Sequence, residues 1–172
     1  MLKSVNPYDQ SVTGEYQQDD VQAISKKIQT AAHAFKGWRK ESFNSRAKLM
    51  KRAGELLRQH KAGYAHVIST EMGNILAEAV AEIEKCANAC DFYAEQAEGF
   101  LKDQLGSTEA RKSLVAFQPL GTVLAIMPWN FPFWQVFRFA APSLMAGNTG
   151  LLKHAANVTQ CSLLIEKTFS EA

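Results

Sequence analysis

Only three of the 172 residues are cysteine: Cys86, Cys90 and Cys161. Three is too few, and the wrong parity, for a disulfide framework. Their scarcity fits a reducing compartment, so a cytoplasmic protein is expected. Cys86 and Cys90 lie four apart, but no histidine or further cysteine completes a ligand set, and no metal is expected. Charge of one sign is also lacking. Nineteen Lys and Arg stand against 17 Asp and Glu, a net +2. That balance leaves no electrostatic footprint for nucleic acid or an anionic membrane surface, and neither is expected as a partner. Met1–Pro7 contains no apolar run of signal-peptide length. The uncharged run from Ser113 to Phe137 is interrupted by Pro119, Gly121, Pro128, Asn130, Pro132 and Gln135, which argues against a transmembrane helix. No internal repeat is present. What remains is ordinary: 47% hydrophobic and 21% charged residues, in a length that suits one domain or part of a larger one.

The apolar periodicity divides the chain into a helical part, residues 1–105, and an α/β part. Asp19 or Asp20 is placed to cap a first helix with the stripe Val21, Ile24, Ile28, Ala31, Phe35. Ser45 is placed to cap a second, carrying Leu49, Ala53, Leu56 and Leu57, with an interruption expected at Gly63. A further helical stretch holds Tyr64, Val67, Ile68 and Met72 and stops at Gly73. Asn74 is then placed to cap a helix with the cleanest stripe of all, Val80, Ile83, Ala87, Cys90, Ala94, Ala97; its small residues permit close helix packing. Beyond Gly106 the pattern changes. Residues 113–118 read as a strand stopped by Pro119, and Gly121–Met127 as a buried strand ended by Pro128. A helix starts at Pro132 and stops at Gly147; Thr149–Lys153 is a second strand; a helix with Cys161, Leu164, Ile165 and Phe169 follows. Strand–helix–strand–helix over 121–172 is the start of a doubly wound parallel sheet, with an open edge still to be covered.

The stretch Ile126-Met127-Pro128-Trp129-Asn130-Phe131-Pro132 lies where a strand gives way to a helix, and such carboxyl edges bind ligands in open α/β sheets. There, Asn130 offers a neutral amide donor. With backbone N–H groups it can stabilise an oxyanion, or it can simply cap the helix; spacing does not separate the two. No Gly-x-Gly-x-x-Gly follows the first apolar strand, which weakens the case for a free-standing dinucleotide-binding module.

Pro119-Leu120-Gly121, Pro128-Trp129-Asn130-Phe131-Pro132, Ala146-Gly147-Asn148-Thr149 and Leu151-Leu152-Lys153 occur in this order at tight spacing, with Glu71-Met72-Gly73-Asn74 upstream. The set resembles the aldehyde dehydrogenase superfamily, over essentially the whole chain and about the first third of a family member. Lys153-His154-Ala155 with Asn157-Val158 is most similar to bacterial succinate-semialdehyde dehydrogenase-type members. The resemblance implies an incomplete, Rossmann-like fold and the NAD- or NADP-dependent oxidation of a small aldehyde to a carboxylate. A Cys thiolate would form a thiohemiacetal, hydride would pass to the nicotinamide, and water would release the acid. It implies that Asn130 is the oxyanion donor, that Ile126, Met127, Pro128 and Trp129 line the cofactor cleft, and that Lys153 bonds the adenosine ribose. Read alone, Lys153 is a solvated charge at a strand end. Phe131, Trp134 and Phe137 would face a substrate tunnel; without the resemblance they are an aromatic stripe of the kind that forms cores. The 113–118 strand would join an oligomerisation sheet, and the complete enzyme would be a homo-oligomer.

There are departures. Some semialdehyde enzymes place a carboxylate-gripping Arg where this chain has Phe137, with Arg138 one position later. Ala156 stands where NAD users of the family often carry an acidic residue, so a 2′-phosphate meets no repulsion and NADP use is allowed. His154 either offers partial positive charge there or is an ordinary surface residue. The family's nucleophile and general base have no counterpart in these residues, and Cys161 sits on a helix face rather than in a catalytic loop. The chain alone is therefore expected to be inactive. A non-catalytic remnant or interaction module is the rival reading.

Overall fold

The computed structural model describes all residues from Met1 to Ala172. It opens with an antiparallel hairpin, β1 (Leu2–Val5) and β2 (Val12–Tyr16), that is missing from the expected elements. Its strands are short, of four and five residues, and Lys3-Ser4 breaks apolar alternation in β1. Helix α1 (Val21–Trp38) is capped by Asp20, whose carboxylate accepts from the Ala23 amide at 2.7 Å. Helix α2 (Phe43–Gln59) is capped by Ser42, not Ser45: Ser42 Oγ accepts from the Ser45 amide at 3.0 Å. The break before α3 (Lys61–Met72) falls at His60, not Gly63. Gly63 lies inside α3 with open space where a side chain would be, so nothing there forces an interruption. Gly73, at φ +83°, ends α3 as expected.

Helix α4 (Leu76–Phe100) buries Ile83, Ala87, Cys90 and Ala97, the core of its expected stripe. Asn74 does not cap it; its Oδ1 accepts from the adjacent Ile75 amide, and Ile75 holds the cap position. α2 packs closely against α4. A Cβ on Gly54 would lie 3.3 Å from the Ala87 carbonyl and 3.4 Å from Cys90 Cβ, so the small residues on both helices permit the approach. At the rim, Arg58 reaches Glu84 at 3.0 Å and Asp91 at 2.7 Å.

β3 (Gln104–Gly106) pairs antiparallel with β4 (Ser113–Val115), which is shorter than the expected 113–118 strand. β5 (Thr122–Ile126) and β6 (Thr149–Lys153) run parallel, from Thr122 opposite Thr149 to Ile126 opposite Lys153. Helix α5 (Pro132–Met145) makes the crossover, and a 3₁₀ turn (Ala156–Val158) leads into α6 (Thr159–Glu171). The register is pinned by Asn148, whose Oδ1 accepts from the amides of Leu120 (2.7 Å) and Gly121 (3.1 Å). The Thr122 and Thr149 hydroxyls meet at 2.9 Å. Gly147, at φ +88°, ends α5, and a Cβ there would sit 3.0 Å from Arg46 Nη1. One apolar cluster joins Met50 and Leu57 of α2, Ile83 and Cys90 of α4, Phe133 and Phe137 of α5, and Ile165 of α6.

Two apolar surfaces are uncovered. The first half of the α1 stripe is uncovered: Val21, Ile24 and Ile28 are exposed, while Ala31 and Phe35 are half-buried and the Thr149 hydroxyl of β6 donates to the Ala31 carbonyl. On β5, Leu124 is 60% and Ile126 70% exposed. A two-stranded parallel sheet presents unpaired edges as well. Self-association of the 172-residue chain is the expected result, read as a sedimentation coefficient that rises with concentration together with binding of a hydrophobic dye. A compact monomer at high concentration that binds no dye would refute it.

Candidate active site

The register of β5 and β6 brings the two stretches with functional promise to one edge. Ile126 stands opposite Lys153, and the Met127 amide donates to the Lys153 carbonyl at 3.0 Å. Beyond that bond the chains diverge into Pro128-Trp129-Asn130 on one side and His154-Ala155-Ala156 on the other. Ile126, Pro128, Trp129, Asn130, Lys153 and Ala156 are all exposed there, and Met127 is half-buried. An exposed cation, an exposed carboxamide and an apolar shelf therefore share the carboxyl edge of a parallel sheet, where α/β folds place ligands.

Asn130 does not cap α5. The cap position belongs to Phe131, and no side chain of the cap bonds the helix. Instead, Glu82 of α4 reaches across and its Oε1 accepts from the amides of Phe133 (2.8 Å) and Trp134 (2.9 Å). The first free amides of α5 are thus occupied, so they are not the backbone partners of an oxyanion beside Asn130. Burial raises the Glu82 carboxyl above the usual carboxylate range, against the pull of those two amides and of Lys85. Lys85 lies with its Nζ 3.9 Å from the centre of the Trp134 ring. Sequence periodicity contained a signal for Glu82: it stands between Ala79 and Cys86 at spacings of three and four, a carboxylate on a buried stripe.

His154 is neither a surface residue nor a positive partner for a phosphate. Its Nδ1 accepts from the Ala155 amide at 2.8 Å, so Nε2 carries the proton and donates to the Pro132 carbonyl at 2.8 Å. Burial pushes its pKa down, and it is a neutral tie between the end of β6 and the start of α5. Phe137 is corrected too. It is fully buried and stacks on Phe133 (6.4 Å) and Phe169 (5.0 Å), in a series that continues through Tyr64 to His60. Its ring belongs to the core and lines no tunnel. Phe131, exposed, and Trp134, half-buried, remain at the surface near Asn130. All three cysteines are buried; their thiols are pushed up by burial, that of Cys90 to about 12 and those of Cys86 and Cys161 well above their ordinary value. None is a thiolate nucleophile. No helix is long and apolar enough to cross a membrane.

A βαβ unit with an uncommitted carboxamide and an exposed lysine at its carboxyl edge defines an α/β protein with a ligand-facing sheet edge. Comparison with known proteins narrows the class: the pattern of the aldehyde dehydrogenase family matches residues 1–172, and the chain belongs to that family. It is 48% identical over 149 residues to a probable NADP+ succinate-semialdehyde dehydrogenase of Synechocystis, covering 87% of this chain and 33% of that protein. It is 44% identical over 149 residues to the NAD(P)+ succinate semialdehyde dehydrogenase Sad of Escherichia coli, covering 87% and 32%. Among solved structures it superposes on the succinic semialdehyde dehydrogenase of Streptococcus pyogenes in complex with NADP+ with a TM-score of 0.95 at 29% identity, covering 99% of this chain and 38% of that one. The fold is therefore the N-terminal portion of the aldehyde dehydrogenase fold. The chain spans about a third of the length of the curated relatives it matches.

Proposed function

We propose that these residues form the first third of an NAD(P)-dependent aldehyde dehydrogenase that oxidises a small aldehyde, with succinate semialdehyde the leading substrate, to a carboxylate in the cytoplasm. One observation carries the reading. Asn130, at the carboxyl edge of β5, is exposed and takes no part in helix capping: the cap position of α5 is Phe131, and Glu82 accepts from its first free amides. A donor left uncommitted at such an edge is suited to the oxygen of a tetrahedral intermediate. The nucleophile is supplied by residues outside this chain, since its own thiols are buried and protonated. The relatives' semialdehyde activity supports the substrate, and Phe137, buried in the core, leaves recognition of a distal carboxylate to other residues. The β3–β4 ribbon, with Leu105 exposed, is the proposed oligomerisation strand pair of a homo-oligomer.

The residues present fit a dinucleotide. Lys153 projects from the end of β6 as an exposed cation for the adenosine ribose, Ile126 and Trp129 offer an exposed apolar shelf, and Ala156 puts no carboxylate near the 2′ position. The bound nicotinamide supplies the hydride acceptor; this chain's part is to hold the ribose and to steady the substrate oxygen. Ala156→Glu in the full-length enzyme is expected to lower the NADP-to-NAD ratio of kcat/KM by about tenfold or more, because the new carboxylate repels a 2′-phosphate and accepts from a ribose hydroxyl. An unchanged ratio would remove Lys153–Ala156 from the ribose site.

A further inference from the structure

The turn Pro128–Phe131 carries Asn130, and little inside the turn holds it in place. Pro128 has no N–H, and the amides of Trp129, Asn130 and Phe131 donate to no backbone acceptor. The side chains of Trp129, Asn130 and Phe131 are exposed, so packing does not fix it either. Its shape therefore depends on how its two ends are anchored.

Both ends are tied to consecutive residues at the end of β6. At the near end, the Met127 amide donates to the Lys153 carbonyl at 3.0 Å. At the far end, His154 Nε2 donates to the Pro132 carbonyl at 2.8 Å. The first tie continues the β5–β6 ladder. The second is supplied by one side chain. Its ring is held at the other nitrogen as well, because Nδ1 accepts from the Ala155 amide at 2.8 Å. That bond sets both the tautomer and the direction of the imidazole. Glu82 also grips the start of α5, through the Phe133 and Trp134 amides, but it does so from α4. His154 is the side chain that anchors the same helix start to the sheet edge.

We propose that His154 is a positioning residue: by tying the Pro132 carbonyl to the end of β6, it fixes the far end of the turn and so sets the place of Asn130 relative to Lys153. The proposal rests on the reading of Asn130 as oxyanion donor and Lys153 as ribose ligand, and it adds the group that holds their spacing. Such spacing matters, since a displacement of about 1 Å can cost on the order of a hundredfold in rate.

The test compares three variants of the full-length enzyme. His154→Gln carries an amide N–H with the reach of Nε2, His154→Asn carries the same group one methylene short, and His154→Leu carries no donor. His154→Leu and His154→Asn are expected to lower kcat by about tenfold or more, with the KM for the dinucleotide within about threefold, while His154→Gln keeps most of the rate. In an Asn130→Ala background, His154→Leu costs little further, because the group it places is already gone. A second readout needs no activity. Chymotrypsin acting on the dinucleotide-free enzyme cuts the Trp129–Asn130 bond severalfold faster in the Leu and Asn variants than in the wild type or the Gln variant, with the site read from fragment masses. Equal kcat losses in all three variants, or cleavage at that bond no faster in His154→Leu than in the wild type, would overturn the proposal. If Asn130→Ala alone leaves kcat unchanged, the oxyanion reading fails, and the cleavage rates still decide whether His154 holds the turn.

Discussion

Asn130→Ala in the full-length enzyme is expected to lower kcat by about a hundredfold or more, the usual loss on removing one oxyanion donor. The cofactor's KM should stay within about twofold, because an interaction made only in the transition state leaves ground-state binding alone. The structure makes the direction of this prediction unusually clear. Had Asn130 capped α5, its removal would have frayed the helix and disturbed Phe133 and Val136 in the core, and loss of rate would have reported loss of fold. Its carboxamide makes no such bond, the cap being held by Glu82. Truncation at an exposed position that bonds nothing should leave the melting temperature nearly unchanged. A variant that melts many degrees lower, or one with normal kcat and poor dinucleotide affinity, would show that Asn130 serves the scaffold or the cofactor instead.

The parts of the fold that were legible in the sequence are those whose boundaries are set locally. β5, α5 and β6 lie within a residue or two of expectation because Pro128, Pro132 and Gly147 are punctuation that acts through the backbone itself. The carboxyl-edge site followed from the same marks, since a strand ending at Pro128 and a helix starting at Pro132 put Trp129 and Asn130 at the edge. What was not legible depends on partners distant in sequence. The spacing that puts Glu82 on a buried stripe, and the motif that holds Glu71, do not say which amides of α5 and α6 those carboxylates bind. His154 looks like a surface histidine until Pro132, 22 residues earlier, offers its carbonyl. The stripe of α1 has the right period for burial, yet period reports only that one face is apolar and says nothing of what covers it. Phe137 illustrates the converse. An aromatic one turn after Phe133 can face a ligand or a core, and here Phe169 on α6 takes the ring.

Glu71 is the second place where the two parts of the chain are tied by a buried carboxylate, and its loss should have the largest effect on stability. It is buried near the end of α3. One oxygen accepts from the Ser4 hydroxyl of β1 and from the Gln160 amide at 2.9 Å; the other accepts from the Cys161 amide at 2.8 Å. These are the first amides of α6, so the negative charge also meets the positive end of that helix. Hydrogen bonds to a charged group are worth about 1.5–3 kcal/mol each, and amides left buried without a partner add their own penalty. Not all of that sum survives relaxation. We expect Glu71→Ala to destabilise the fold by roughly 3 kcal/mol, or about 10 °C in melting temperature for a domain of this size. Glu71→Gln should fall between, since one carbonyl replaces two acceptor oxygens. Glu84→Ala supplies the contrast: its ion pairs with Arg58 and Lys61 lie at the surface, where such pairs contribute about 1 kcal/mol or less. The measurement is a thermal melt of the three variants below the onset of association. Hydrogen exchange at Gln160 and Cys161 should quicken in Glu71→Ala and stay slow in Glu84→Ala. If Glu71→Ala melts no lower than Glu84→Ala, the carboxylate does not clamp α6 and the hairpin to α3.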